Sequence, residues 1–197
     1  MQKRTIGGCI AVVFALVTVA VAQTNHAEQR FTFKAANADK AGPSGEGRLE
    51  LVVTQWSTDV ERDRVLSALR EHGPDKLADA IRMAYAVGYM HWPGGLDYTL
   101  RYAYRIQRPD GGEDVVLATD QPISLWWDSG YSTPSASQSI VIQLRLNKDG
   151  RGEGKLGTKV VASQNAKTFV VDDFATLPAT LLDVQRERSA TAGSSTS

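Results

Sequence analysis

Apolar and polar residues alternate along most of this chain with a period of two. The longest run spans 96–107. Leu96, Tyr98, Leu100, Tyr102, Tyr104 and Ile106 fall on one side, and Asp97, Thr99, Arg101, Ala103, Arg105 and Gln107 on the other. Successive side chains of a strand point to opposite faces, so this run predicts one long strand, half buried and half wet. Pro109-Asp110-Gly111-Gly112 then supplies a tight hairpin turn, and 115–119 returns as the partner strand. The same grammar recurs downstream. Ile140, Ile142, Leu144 and Leu146 alternate with Gln143 and Arg145, Asn147-Lys148-Asp149-Gly150 turns the chain, and Leu156, Val160 and Ala162 mark the return. Phe31, Phe33 and Ala35 form an opening pair with Leu49, Leu51 and Val53 around a Gly/Pro-rich loop at 42–47. Further strands are expected at 84–92, 123–127, 169–171 and 179–184. Eight or nine strands joined by hairpin turns predict a mainly β (α+β) domain, an antiparallel sandwich or barrel of about eight strands.

Residues 58–83 break the alternation. Thr58-x-x-Glu61 fits a capping box, in which the threonine hydroxyl meets an orphan helix amide and the glutamate reaches back. Asp59 and Glu61 sit where the positive end of a helix dipole favours anions. Val65, Leu66 and Leu69 supply an apolar stripe, Gly73 a C-terminal cap, and Pro74 the first turn of a second helix carrying Leu77, Ala80, Ile81 and Ala84. The dense charge of Ser57-Thr58-Asp59-Val60-Glu61-Arg62-Asp63-Arg64 therefore reads as a helix start rather than a catalytic cluster, with Arg62 and Arg64 on a solvated face. A two-helix insertion near residues 58–83 is expected.

The first 22 residues carry an address. Lys3 and Arg4 precede an uncharged apolar run over 6–22 that ends in Ala20-Val21-Ala22, the pattern of a cleaved secretory signal peptide. The expected organisation is a signal peptide at 1–22, a single β-rich domain at 23–187 and a small, polar, disordered tail at 188–197. Localisation is then exported, periplasmic or extracellular, with no transmembrane segment after cleavage. Cys9, the one cysteine of the chain, lies ahead of most of the apolar run, which disfavours lipid anchoring. Cleavage after Ala22 leaves 175 of the 197 residues and no cysteine, excluding disulfides and thiol chemistry. Lys3 and Arg4 leave with the peptide, so 20 of the 22 basic residues face 22 acidic ones, a formal charge of −2. No basic stretch alternates with aromatics, so nucleic acid is not an expected partner.

Motifs with chemistry are scarce. Gly152-Glu153-Gly154-Lys155-Leu156-Gly157 matches a dinucleotide fingerprint in letters but opens a strand after a hairpin turn, where no helix follows to cradle a phosphate. Asn147-Lys148-Asp149-Gly150-Arg151-Gly152 resembles a calcium loop, but Arg151 and Thr158 stand where oxygen ligands of high charge belong. The three histidines, His26, His72 and His91, show no metal-ligand spacing. His91 ends a strand ahead of a Trp92-Pro93-Gly94-Gly95 turn and could serve as a base with Asp97, although no nucleophile motif accompanies it. No catalytic residue, metal or cofactor is assigned. The better lead is aromatic: adjacent Trp126 and Trp127 face opposite sides of a strand, so one of them lies outside the core, beside a Ser-rich loop holding Tyr131. The candidate ligand surface is Trp92, Trp126, Trp127 and Tyr131, with His91.

The phrases WSTDVERDRVLSAL, LRYAYRIQRPDGGEDVVLATDQPI and IQLRLNKDGRGEGKL are similar to an uncharacterised family of exported bacterial proteins, over about 48–184. The resemblance implies an exported bacterial domain and no particular activity. The expected function is that of a non-catalytic exported domain binding an apolar or amphipathic small molecule or a cell-envelope protein. The alternatives are a hydrolase with dispersed residues, using His91 with Asp128, Asp172 or Asp173, and a structural subunit of an envelope assembly with an open edge strand.

Overall fold

A computed structural model describes residues 28–35, 49–91, 97–121, 123, 139–163, 167–172, 174 and 181–187. The elements are β1 (Gln29–Ala35), β2 (Leu49–Val53), α1 (Asp59–His72), α2 (Pro74–Arg82), β3 (Gly88–His91), β4 (Tyr98–Leu100), β5 (Tyr102–Gln107), β6 (Glu113–Thr119), β7 (Ile140–Leu146), β8 (Arg151–Gly157), β9 (Val160–Ser163), β10 (Thr168–Val171) and β11 (Leu181–Arg186). Nine strands make one sheet in the order β4-β3-β2-β1-β11-β8-β7-β6-β5, and every pairing in it is antiparallel. The two ends of that order, β4 and β5, are consecutive in the chain and separated only by Arg101. Counted as one strand they reduce nine to eight, and the sheet wraps into a nearly closed, up-and-down barrel. The first and last strands close it on the other side, with Phe31 opposite Arg186. Among the described residues the chain leaves the meander twice, for the two helices between β2 and β3 and for the β9–β10 hairpin between β8 and β11.

Alternation decides which residues fill the barrel. Phe31 and Phe33, Leu49, Leu51 and Val53, Met90, Val115 and Leu117, the even positions of β7, and Leu181 and Val184 form one buried interior cluster. A second cluster lies outside the sheet, where Tyr102, Val116, Ala118 and Val141 are covered by Val65 and Leu69 of α1, Leu77 and Ile81 of α2, and Val160, Phe169 and Val171 of the outer hairpin. The Tyr102 hydroxyl pairs with Thr168 Oγ1 at 2.7 Å and its ring lies 4.8 Å from that of Phe169. Such a ring pair adds about 0.5–1.5 kcal/mol to the burial itself.

The 96–107 run does not keep one face. Tyr98 and Leu100 belong to the interior with Ala103, whereas Tyr102, Tyr104 and Ile106 belong to the outer cluster. A slip of one residue at Arg101 exchanges the two faces, since the side-chain period is two. The slip is held from outside: the Arg101 guanidinium donates to Asp120 Oδ1 at 2.9 Å and to the Ala84 carbonyl at 3.0 Å, while its N–H donates to the Ala118 carbonyl at 2.9 Å.

The helices start and stop where the caps place them. Thr58 Oγ1 accepts the Glu61 amide at 3.3 Å, Glu61 Oε2 accepts the Thr58 amide at 2.7 Å, and Gly73 at φ 81° donates to the Leu69 carbonyl at 3.0 Å. Arg62 corrects the expectation of a solvated face. Its side chain is only 13% exposed, lies over the Tyr104 ring, and donates to the Tyr104 hydroxyl at 2.5 Å and to Asp59 at 2.7 Å. Burial opposes its charge, but hydrogen bonds to Asp63 and Tyr104 and the charge of Asp59 outweigh it, so its pKa is raised. Arg64 is exposed.

Two further expectations are corrected by register. The return strand β8 stops at Gly157, and Val160 and Ala162 turn off into the separate β9–β10 hairpin because Val160 packs in the outer cluster. The expected strand at 84–92 is confined to Gly88–His91 within the described residues. The glycines at 152 and 154 serve packing, not a nucleotide. A Cβ at Gly152 would stand 1.9 Å from the Arg145 carbonyl oxygen, and one at Gly154 would press into Leu144 and Leu181. The signal segment, the 42–47 loop, the strand positions 124–127 and the tail lie outside the described residues.

Thr58→Ala is expected to lower stability by about 1 kcal/mol, read as a shifted denaturation midpoint at unchanged slope. A pH effect follows from the hairpin turn after β5. The Gly112 amide, donating to Asp110 at 2.9 Å, and then the Arg108 guanidinium hold the Asp110 carboxyl below its ordinary value of 3.8. Its stabilising contribution is therefore complete above that value and lost as pH falls through the lower folded value. Asp110→Ala is expected to melt below the wild type at neutral pH and to converge with it in strong acid.

Candidate functional site

Beyond Arg101 the inward positions of β5 are Ala103, Arg105 and Gln107, opposite Leu117, Val115 and Glu113 of β6. Glu113 stands opposite Leu146, and across the barrel Arg186 stands opposite Phe31. One end of the apolar interior is thus closed by a polar row: Arg105, Gln107, Glu113 and Arg186. Glu113 is 5% exposed. Its carboxylate accepts Gln107 Nε2 at 3.2 Å and meets Arg186 Nη2 in an ion pair. The Arg186 guanidinium also lies over the Phe31 ring, and burial together with the charge of Arg105 lowers its pKa. Two guanidiniums share this row with one carboxylate.

The second guanidinium, Arg105, lies over Trp56 at 5.1 Å from the ring centre. Trp56 follows β2 and packs in the interior cluster, so the pair sits at the barrel mouth. A cleft of about 220 Å³ opens there, lined by Trp56, Ser57, Thr58 and Asp59 from the link into α1 and by Tyr104, Arg105 and Gln107 from β5. Most of its polar groups are committed. Thr58 caps the helix, Asp59 accepts from Arg62 and from the Tyr104 hydroxyl at 3.1 Å, and Gln107 serves Glu113. Ser57 is 7% exposed and bridges to β5: its amide donates to the Ala103 carbonyl at 2.8 Å, and its Oγ accepts the Ala103 amide at 3.1 Å. That leaves the Ser57 hydroxyl proton to donate. Among the described residues Arg105 makes no hydrogen bond or ion pair, only the contact with Trp56. A guanidinium and a hydroxyl therefore line the same cleft beside an aromatic wall, neither donating to an acceptor among the described residues.

The residues singled out from the sequence are not the ones gathered here. Trp92, Trp126, Trp127 and Tyr131 lie outside the described residues, as do Asp128 and Asp173. His91 is described, and its Nδ1 lies 2.6 Å from Asp97 Oδ1, as the hydrolase alternative requires. The pair is about half exposed, however, and His91 stands opposite Glu50, on the outer side of the barrel, outside the cleft. Asp172 is exposed after β10, on the outer hairpin. No group of three or more metal-ligating side chains occurs among the described residues. The cleft residues missed by sequence reasoning left one readable signal: Trp56 and Ser57 fall between a strand and a capping box, where a chain must turn over a barrel end. Arg105 left none, because its alternation assigns it to the wet face.

Glu113→Gln is expected to cost about 3 kcal/mol, because it strands the Arg186 charge near that of Arg105. Adding Arg186→Met should recover part of the loss, a coupling that a double-mutant cycle of unfolding free energies would read. Comparison with protein-family models, with curated proteins and with solved structures finds no match for this chain.

Proposed function

We propose that this chain is an exported, non-catalytic β domain that binds an amphipathic small molecule at the mouth of its barrel. The observation that carries this reading is the cleft where Arg105 stacks on Trp56 above a filled interior. An eight-stranded barrel either packs its inside with side chains or holds one small ligand there. Here Phe31, Phe33, Leu51, Met90, Leu117, Ile140 and Ile142 are all fully buried inside, so a ligand is met at the mouth. The basic, apolar and small-residue order of 1–22 supports export. An envelope protein offering a side chain or chain end of the same chemistry would use the same mouth.

One observation favours a second reading. A carboxylate 2.6 Å from His91 orients the imidazole as a general base would need, which keeps a hydrolase with dispersed residues in view. Its mark would be a hydrolytic activity lost in His91→Ala.

Two measurements on the protein exported from a bacterial host test the proposal. Its mass should begin at Gln23, and titration with 1-octanol or octanoate should change tryptophan fluorescence saturably. The change should disappear in folded Trp56→Phe. A fluorescence response that survives this substitution, or none with either amphiphile, contradicts binding at the mouth.

A further inference from the structure

We infer that the group seated in the mouth cleft is a carboxylate, held by the Arg105 guanidinium and the Ser57 hydroxyl, so that the ligand is a monocarboxylic acid with an apolar body. This rests on the mouth being the binding site. Three features select the chemistry. The first is charge. The polar row sets Arg105 and Arg186 against Glu113 alone, and one added monoanion balances it, whereas a dianion would overshoot with Asp59 and Glu113 close by. Asp59 Oδ1 already accepts from Arg62, which Asp63 shares, and from the Tyr104 hydroxyl, and it makes no hydrogen bond or ion pair with Arg105 among the described residues.

The second is donor geometry. A guanidinium presents a planar fork that matches the two oxygens of a carboxylate, and Ser57 adds one neutral donor to the same cleft. Ser57 is positioned by its double bridge to Ala103, and Arg105 by the Trp56 ring, so both donors are ordered before a ligand arrives. Ordering in advance reduces the entropy lost on binding. The third is size. About 220 Å³ holds a head group with a body of several carbons, about the size of octanoate, and not a long-chain amphiphile. A longer apolar body must extend out of the mouth, and beyond that size chain length should matter less than the head.

Calorimetric titration of the mature protein with octanoate and with 1-octanol, at low salt, tests this. Octanoate is expected to bind at least tenfold more tightly than octanol. Arg105→Gln should remove that preference, bringing octanoate down to the affinity of octanol. Arg105→Lys should restore only part of it, because an ammonium lacks the fork. Ser57→Ala should narrow the preference severalfold by weakening octanoate more than octanol, and this variant carries the test if Arg105→Gln fails to fold. Equal affinity for the two probes in the wild type, or a preference that survives both Arg105→Gln and Ser57→Ala, overturns the carboxylate while leaving the mouth as a binding site. Displacement of octanoate by an equal concentration of inorganic phosphate overturns it as well. Failure of both octanoate and octanol to bind overturns the mouth reading itself.

Discussion

One residue of slippage at Arg101 governs most of what this fold does. A strand that kept its register from Tyr98 to Gln107 would turn Tyr102, Tyr104 and Ile106 into the barrel and Arg105 toward water. The slip sends those three into the outer layer and Ala103 and Arg105 inward. It is held by charge as well as by backbone: Arg101 spans Asp120, the Ala84 carbonyl and the Ala118 carbonyl. The same slip lets one continuous stretch pair with β3 at its start and β6 at its end, which is how the sheet closes.

Closure and the outer layer depend on each other. Turning Tyr102 outward creates an apolar face on β5–β7 that water would not tolerate, and α1, α2 and the β9–β10 hairpin cover it. Tyr102 and Tyr104 each fix part of the cover by their hydroxyls, one to Thr168 of the hairpin, the other between Arg62 and Asp59 of α1. The start of α1 is thereby pinned above the barrel end, and the link that carries Trp56 and Ser57 is pinned with it. The mouth cleft is thus a by-product of covering the outer face. Its chemistry comes from the one inward arginine that no acidic residue answers among the described residues.

Much of this was legible in the residues. Alternation in β1 and β7 foretold their inner faces, the turn signals foretold the β1–β2, β5–β6 and β7–β8 pairings, and the Thr58 capping box, Gly73 and Pro74 marked both helices. The class was right and the barrel was one of two architectures open; the expected count of about eight matches the main sheet with β4 and β5 taken together, but not the added β9–β10 hairpin. What was not legible depends on partners distant in sequence. The slip at Arg101 follows from Asp120 and Ala84, which periodicity within 96–107 cannot contain. Arg62 reads as a solvated helix residue because its partner Tyr104 is on another element. Arg105 and Glu113 join the same row as Arg186 only because the sheet curls β11 back toward β5 and β6. Aromatic residues drew attention to Trp126 and Trp127, whereas the tryptophan that lines the described cleft is Trp56, whose position at a strand end looked ordinary.

Methyl and aromatic NOE measurements on the folded domain test the slip most directly. Contacts should run from the Ala103 methyl to Leu117 and from the Tyr102 ring to Phe169, with the Arg105 side-chain protons close to the Trp56 indole. Contacts from Tyr102 and Tyr104 to interior Leu117 and Leu144, with Ala103 and Arg105 facing solvent, would contradict it. That result would return Arg105 to the wet face and leave the cleft without its cation.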